Sequence, residues 1–366
     1  MDDVLVVTRA EVERRVLRPV LGGEGTSITI PGLSGKTHLQ RHTGADEVLD
    51  WIDTFSVNAN RSDLRARWRA TALATHRHRR AYALQDLTAY RCVLVPRQSH
   101  PFVRALIQAA RAQDVAVAYL PHSPLTTWHV DLPVTHAGVR GPAERDQIVA
   151  VTGANPERIE IVGNPSTDIL SAELPMLASD APGVLALGAM PETRLNAVLE
   201  LLNLTGLDDV VVAPHPRTDR RALQQLMPRS WSVFTGGRTT DLLGSGPPWV
   251  LQASSGIAWE STALGIPTAT IRLPGDNRIY PFLESPEIPE ITEPGDVLTF
   301  VDRSPRIDRD DLRKFARAWC ALDGTESVER ARSMLDSIAR GTHYSLIADA
   351  WSPGGALLSQ SRLVSS

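Results

Sequence analysis

The chain is 366 residues long, which exceeds the usual ceiling for a single hydrophobic core, so it is expected to form two domains. Hydrophobic residues make up 42% of it and charged residues 22%, a composition typical of a water-soluble globular protein. Its formal net charge of −4 argues against a general affinity for nucleic acids or other polyanions.

Short apolar runs alternate with helical patterns through the first half of the chain. Strands are predicted at residues 4–7, 92–95, 115–120 and 158–162, and helices at residues 10–20 and 102–112. Such alternation predicts a parallel sheet that is covered by helices on both faces.

The same pattern begins again after a stretch rich in Pro, Ala and Ser. That stretch, residues 172–183, is the predicted linker. Beyond it, strands are predicted at residues 184–187, 210–213, 249–253 and 268–271, helices at 193–202 and 220–226, and a closing helical pair within 309–339.

The two halves together predict an α/β fold of two doubly wound, Rossmann-like domains. We assign residues 1–172 to the first domain, 183–345 to the second and 346–366 to a tail. A cleft between two such domains is a favoured place for a ligand.

The turn after the strand at 249–253 consists of small residues, Ser254, Ser255 and Gly256. Because a helix is predicted directly after it, backbone N–H groups and the helix dipole favour a bound phosphate there. Serine is also a preferred helix cap, and one helix end can serve both purposes. We therefore predict that these three residues contact the phosphate of a nucleotide.

A histidine between two prolines follows the strand at 210–213. His215 precedes Pro216 and Arg217, and the prolines fix the local backbone. An imidazole at the carboxyl end of a strand is placed to donate to a phosphate oxygen, whereas the simpler alternative is a loop histidine bonded to a carbonyl. We assign these three residues to the donor site, together with Gly188, which follows the strand at 184–187.

Glu260 lies one turn into the helix that follows the serine turn. It is five residues after Ser255, too far for a capping box, in which the acid is three residues after the cap. Its carboxylate is predicted to accept hydrogen bonds from both hydroxyls of a ribose. A solvated helix acid is the alternative.

His122 stands directly after the predicted strand 115–120 of the first domain. A histidine facing a nucleotide across a cleft suits a general base, because its pKa is close to neutral. A structural role is the alternative for any lone histidine. If the base is elsewhere, Asp131, His136 and Asp168 are the next candidates.

Residues 61–80 are rich in arginine, with a single acid, Asp63. A solvated helix face is the simpler interpretation, and a patch for an anionic acceptor or acidic lipid headgroups is the more specific one. Trp68 is the one aromatic residue in this segment, so base stacking and nucleic-acid binding are not supported.

Several of these segments resemble GT-B-fold transferases. The segments that carry the resemblance are Val-Gly-Asn-Pro at 162–165, Pro-His-Pro-Arg at 214–217, Ser-Ser-Gly-Ile-Ala-Trp-Glu at 254–260 and Ala-Leu-Gly-Ile-Pro at 263–267. His-Pro followed by Ser-Ser is similar to bacterial enzymes with cytidine-nucleotide donors. These are sialyl- and polysialyltransferases, capsule Kdo transferases and CDP-glycerol glycerophosphotransferases.

We expect inverting transfer without a cofactor. No metal ion is expected, because helix N–H groups and an imidazolium can stabilise the leaving phosphate in its place. The donor would be a nucleotide-sugar or CDP-polyol, with cytidine nucleotides preferred over UDP, and the acceptor a cell-surface glycan or a lipid-linked molecule. The acidic motif that carries the base in GT-B sialyltransferases has no match in this chain, which is why the base is assigned to His122.

Two further functions stay open. Gly163, Asn164, the Ser-Gly turn and Glu260 also resemble UDP-N-acetylglucosamine 2-epimerases, although these usually have His-Arg at the position of His215 and Pro216. A nucleotide-binding GT-B domain without turnover is the other. No signal-peptide pattern and no run of 18 apolar residues is present, so a cytoplasmic protein is expected, at most peripheral to the membrane through residues 61–80.

Overall fold

The computed structural model forms two compact units. It describes residues 4–8, 11–21, 27–29, 86–98, 101–126, 132–165, 175–178, 180–216, 218–253, 255–275, 280–320 and 326–341. The first unit consists of Met1–Ser166 with Thr325–Ser366, and the second of Thr167–Gly324. The predicted tail at 346–366 lies outside the described residues, as do the arginine-rich residues 61–80.

The first unit contains six parallel strands in the order β2-β1-β3-β4-β5-β6. The strands are β1 (Val4–Thr8), β2 (Ser27–Thr29), β3 (Cys92–Val95), β4 (Ala116–Tyr119), β5 (His136–Val139) and β6 (Ile159–Ile161). The helices that follow the strands are α1 (Glu11–Leu21), α2 (Pro101–Ala112) and α3 (Pro142–Thr152).

The central strands β3 and β4 are buried on both faces of this sheet, which explains why they are continuous apolar runs. All four residues of β3 are buried, and Val93 and Val95 pack into one core cluster while Cys92 and Leu94 pack into another. Successive side chains of a strand point to opposite faces, so each face of the sheet has its own core.

A helix from the end of the chain completes the first unit. This helix spans Glu326–Arg340 and is labelled α10, because the helices α4 to α9 belong to the second unit. Its buried residues are Ser327, Ala331, Met334, Leu335 and Ile338. The last four follow helical spacing and share a core cluster with Leu17 and Val20 of α1. Arg332 also donates to the carbonyls of Pro19 (2.7 Å) and Val20 (2.8 Å).

The position of α10 differs from the domain bounds that we drew from the sequence, which placed residues 183–345 together. The chain returns to the first unit at about Thr325, because the apolar stripe of α10 covers the sheet face that contains Leu94. Periodicity predicts that a helix has an apolar face, but it does not say which sheet the face covers.

The second unit also contains six parallel strands, in the order β12-β11-β10-β7-β8-β9. The strands are β7 (Gly183–Leu187), β8 (Val210–Ala213), β9 (Ser232–Val233), β10 (Val250–Ala253), β11 (Thr268–Ile271) and β12 (Glu290–Ile291). The helices are α4 (Glu192–Asn203), α5 (Arg220–Leu226), α6 (Thr239–Leu243), α7 (Ile257–Ala263), α8 (Pro294–Arg303) and α9 (Arg309–Trp319).

The strand order of the second unit is that of the Rossmann fold. Three strands extend from β7 in one direction and three from β10 in the other, so the order reverses between β7 and β10. The predicted α/β class, with two parallel sheets, is confirmed. Within the part of the chain that the structure describes, no helix is both long and apolar enough to span a bilayer.

We predict that Leu335→Ala destabilises the first unit selectively. Leu335 has no exposed surface, and a buried Leu→Ala change costs about 2–5 kcal/mol. Amide exchange should therefore accelerate in α1 and β3 while β7 and β10 keep their protection. Asp336→Ala, on the exposed side of the same helix, is the control and should change the free energy of unfolding by less than about 0.5 kcal/mol. Faster exchange in β7 and β10 alone would contradict the assignment of α10.

Candidate functional site

Three adjacent strands of the second unit end at the predicted donor residues. Gly188 follows β7, His215 follows β8 after one proline, and Ser255 follows β10. Because β10, β7 and β8 are neighbours and parallel, their carboxyl ends lie at the same edge of the sheet. Ligands of open α/β sheets bind at this edge, in the crevice where the strand order reverses.

A backbone hydrogen bond joins the two loops at the point of reversal. The N–H of Gly188 donates to the carbonyl of Ala253 at 2.8 Å, and Gly188 is buried. The bond fixes the loop after β7 relative to the turn after β10.

Protein groups already occupy part of the serine turn. The N–H of Ser255 donates to the side-chain carbonyl of Gln252 at 2.7 Å, and the N–H of Ile257 donates to Oγ of Ser255 at 3.3 Å. The Ser255 hydroxyl therefore accepts from the first residue of α7, and Gly256 is the cap residue of that helix. The hydrogen of the Ser255 hydroxyl is still a donor, because a hydroxyl can accept and donate at once. Ser254 lies outside the described residues.

Gln252 is a residue of this site that the sequence analysis missed. Its side chain has no exposed surface, and besides accepting from Ser255 it donates to Oγ1 of Thr270 at 2.6 Å. It thus connects the serine turn to the neighbouring strand β11. The available signal was a single amide in the otherwise apolar run Val-Leu-Gln-Ala.

His215 lines a cavity of about 600 Å³. The other lining residues are Ala189, Met190, Pro191, Glu192, Leu195, Thr218, Asp219 and Ala222. The imidazole is half-buried, and the histidine carbonyl accepts from the N–H of Thr218 at 2.9 Å. A cavity of this size is within the range of small-molecule sites.

The other predicted donor residues that the structure describes do not line this cavity. Pro216 is exposed, and Arg217 lies outside the described residues. Glu260 is half-buried in the first turn of α7, next to Gly256 at the start of that helix. Among the predicted donor residues that the structure describes, His215 is the one that lines the cavity.

In the first unit, both ring nitrogens of His122 have partners. Nδ1 lies 2.7 Å from the carbonyl of Pro96, which can only accept, so Nδ1 carries the proton. Nη2 of Arg97 lies 2.9 Å from Nε2, and a guanidinium can only donate, so Nε2 uses its lone pair there. His122 is therefore a neutral imidazole whose orientation is fixed at both ends.

The surroundings of His122 favour this neutral form. Desolvation lowers the pKa of His122 most, and the charges of Arg97 and Arg140 lower it further. The hydrogen bond to Pro96 and the charge of Glu13 act in the opposite direction. The net pKa is below the ordinary histidine value, so the ring is unprotonated at neutral pH.

Arg97 and Glu13 form an ion pair beside this histidine, and the sequence analysis missed both. Nε of Arg97 lies 3.1 Å from Oε1 of Glu13, and their side chains are 38% and 3% exposed. Glu13 lies in α1, which follows β1, while Arg97 follows β3 and His122 follows β4. These three strands are neighbours, and the strand order of the first sheet reverses between β1 and β3. Glu13 and Arg97 both follow predicted strands, and this position was the feature of the sequence that could have identified them.

A buried ion pair holds the loop that contains His122. Arg140 and Glu144 are 4% and 2% exposed and bind each other through the guanidinium and both carboxylate oxygens. Arg140 also donates to the carbonyl of Ser123 (2.7 Å), and Oε1 of Glu144 accepts from the N–H of Leu125 (3.2 Å). Both ends of the loop 122–125 are thereby fixed.

The other candidate bases are placed differently. His136 is the first residue of β5, whereas His122 follows the carboxyl end of β4. Nδ1 of His136 lies 2.9 Å from Oγ1 of Thr135. Burial, and then the charge of Arg158, lower the pKa of His136 to about 4. Asp131 and Asp168 lie outside the described residues. Among the residues that are described, no three His, Cys, Asp or Glu side chains are grouped to hold a metal ion.

The chain is similar to known proteins in its structure, but its sequence matches no known family. No protein-family model matches the chain, and no curated protein matches it. A putative UDP-N-acetylglucosamine 2-epimerase from Listeria monocytogenes has a TM-score of 0.58 at 13% identity, over 94% of this chain and 99% of that one.

Two further solved structures match over nearly the same length. The UDP-GlcNAc 2-epimerase of Methanocaldococcus jannaschii, in complex with UDP-GlcNAc and UDP, has a TM-score of 0.54 at 14% identity, over 91% and 99% of the two chains. CalG4, the calicheamicin glycosyltransferase, has a TM-score of 0.51 at 14% identity, over 92% and 97%. At these identities the likeness shows the fold, which is of the GT-B type shared by glycosyltransferases and these epimerases.

We predict that Gln252→Leu loosens the serine turn. The change leaves the N–H of Ser255 without its acceptor, and an unmade bond of this kind costs about 1–3 kcal/mol. The amide of Ser255 should exchange faster with solvent. Thr270→Val is the matched control, because it removes the other partner of Gln252 and leaves the bond to Ser255 in place. Equal exchange of the Ser255 amide in the two variants would contradict this role.

Proposed function

We propose that this protein is a GT-B-type transferase that moves a sugar or a polyol phosphate from a nucleotide donor to an acceptor. The observation that carries the proposal is the convergence of Gly188, His215 and Ser255 at the carboxyl edge of the second sheet, beside a cavity of about 600 Å³. This is where Rossmann-like sheets bind nucleotides.

In the proposed site the imidazole of His215 binds the phosphate that leaves with the nucleotide. The Ser255 hydroxyl hydrogen is a second donor, and Arg217 and Ser254 are the further candidates from the sequence. Donors aimed at the leaving oxygen stabilise the negative charge that develops as its bond breaks, so the reaction needs no metal ion. Glu260 is proposed to accept from the ribose hydroxyls.

The nature of the two substrates is proposed from the sequence motifs. His-Pro followed by Ser-Ser favours a cytidine nucleotide over UDP, and the acceptor is proposed to be a glycan or a lipid-linked molecule. The arginine-rich segment 61–80 is proposed to contact that acceptor or the membrane surface that carries it.

Nucleotide binding tests the donor site directly. We predict that calorimetric titration with CMP, CDP, UDP and GDP gives binding, strongest for the cytidine nucleotides. His215→Ala should weaken it by roughly ten- to a hundredfold, since a charge-assisted contact is worth about 1.5–3 kcal/mol. Gln224→Ala, on an exposed position of α5 in the same unit, is the control and should bind as the wild type does. Folded protein that binds none of the four nucleotides would exclude the site.

His122 is proposed as the general base that takes the proton of the acceptor hydroxyl. We predict that His122→Ala lowers turnover by roughly 10²–10⁴, the usual share of acid–base catalysis, and leaves donor affinity nearly unchanged. Turnover is measured in single-turnover reactions with saturating donor, and affinity by calorimetry. Wild-type turnover in this variant would reassign the base to Asp131, His136 or Asp168.

An epimerase is the second candidate. In its favour, one matching structure described above is a UDP-GlcNAc 2-epimerase and another is named a putative one, and both have TM-scores above that of the glycosyltransferase. Such an enzyme acts on the nucleotide-sugar alone. Incorporation of solvent deuterium at C2 of UDP-N-acetylhexosamine, without any acceptor, would favour it over transfer. Nucleotide binding with neither activity would identify a non-catalytic domain.

A further inference from the structure

The charged cluster of the first unit consists of Glu13, Arg97 and His122. Its members follow three neighbouring parallel strands, so they meet at the carboxyl edge of the first sheet, where the strand order reverses. This is the edge at which α/β sheets bind ligands. The location corresponds to that of the donor residues in the second unit, but the chemistry is different, because a cation is placed directly against an imidazole.

Arg97 has donors to offer a ligand. A guanidinium carries five N–H groups, and the contacts with Glu13 and His122 involve Nε and Nη2. Its side chain is 38% exposed while Glu13 is 3% exposed, so the pair presents its cation to solvent and keeps its anion inside. The planar fork of an arginine matches the two oxygens of a phosphate or carboxylate.

The contact between Arg97 and His122 has a chemical consequence. A general base needs its lone pair, and in this structure the lone pair of Nε2 accepts from Nη2 of Arg97. Nδ1 cannot serve instead, because its proton is held by the carbonyl of Pro96 at 2.7 Å. His122 can act as a base only when Arg97 is drawn away from Nε2.

We propose that Arg97 binds an oxyanion, a phosphate or carboxylate group, of the second substrate, and that this binding releases Nε2 of His122. The inference rests on the proposed transferase function, for which it specifies an anionic acceptor. The released Nε2 takes the proton of the acceptor hydroxyl while the hydroxyl oxygen forms a bond to the transferred group. The bond between that group and the nucleotide phosphate breaks, and the phosphate oxygen keeps the electron pair.

The charged groups around the ring agree with this sequence of events. Among the described residues, the charges that act on His122 are those of Glu13 from α1, Arg97 after β3 and Arg140 after β5. In the free protein the positive charge of Arg97 lowers the pKa of His122. An anion bound to Arg97 offsets that charge, and Glu13 stabilises the imidazolium that forms. Arg140 is held by Glu144 and Ser123 and keeps its position.

The experiment follows the ring of His122 by NMR in full-length protein with ¹⁵N-labelled histidine. His122→Asn identifies the resonances among those of the 10 histidines. Inorganic phosphate and acetate are the probes, and sodium chloride at matched ionic strength is the control. We expect both probes, but not chloride, to shift the Nε2 resonance and to raise the pKa of His122.

The variants separate Arg97 from other causes. Arg97→Gln should raise the pKa of His122 without any anion and weaken its response to phosphate by about tenfold or more. The double variant Glu13→Gln/Arg97→Gln should lose the response to phosphate to the same extent, but its pKa of His122 should rise less, because the charge of Glu13, which raises that pKa, is removed as well. Arg145→Gln, which removes a surface arginine of the same unit, should behave as the wild type.

Each outcome decides the inference separately from the proposed function. A His122 resonance that phosphate does not move, or moves equally in wild type and Arg97→Gln, would overturn it. The NMR readout does not depend on turnover, so the inference about Arg97 holds or fails independently of the nucleotide titrations. Absent nucleotide binding combined with an Arg97-dependent phosphate response would reject the transferase and retain the oxyanion site.

Discussion

Parallel pairing of the strands is the constraint on which both candidate sites depend. Six parallel strands in each unit send every strand-to-helix loop out at one edge of the sheet. The sheet therefore brings residues that are far apart in the sequence to the same edge. Gly188, His215 and Ser255 come together in the second unit in this way, and Glu13, Arg97 and His122 in the first. The reversal of strand order then decides which of the loops border a crevice.

Buried polar groups determine the shape of these loops. Gln252 holds the serine turn against β11, and Arg140 with Glu144 holds both ends of the loop 122–125. Taking such groups out of water is costly, and removing one partner of a buried ion pair costs about 3–5 kcal/mol. Their contribution is thus positional rather than a net gain in stability. They fix the functional side chains to the rigid sheet instead of leaving them on a mobile loop.

The elements of the fold were largely predictable from the sequence. Predicted strands at 92–95, 210–213 and 268–271 have the observed bounds. The first two are uninterrupted apolar runs, as strands covered on both faces of a sheet usually are. The partner of α10 was not predictable, since an apolar stripe does not identify the sheet it covers. The same limit applied to the sites. His122 was identified as a candidate, but its neighbours Arg97 and Glu13 depend on strand order, which local patterns do not reveal.

The central claim is that the carboxyl edge of the second sheet binds the phosphates of a nucleotide. A crystal structure of the protein soaked with CDP and, separately, with UDP tests it most directly. The account predicts density in the cavity lined by His215, with a phosphate oxygen about 2.7–3.2 Å from a ring nitrogen of that histidine. A nucleotide bound in full occupancy at another place, with no contact to His215 or Ser255, would contradict it.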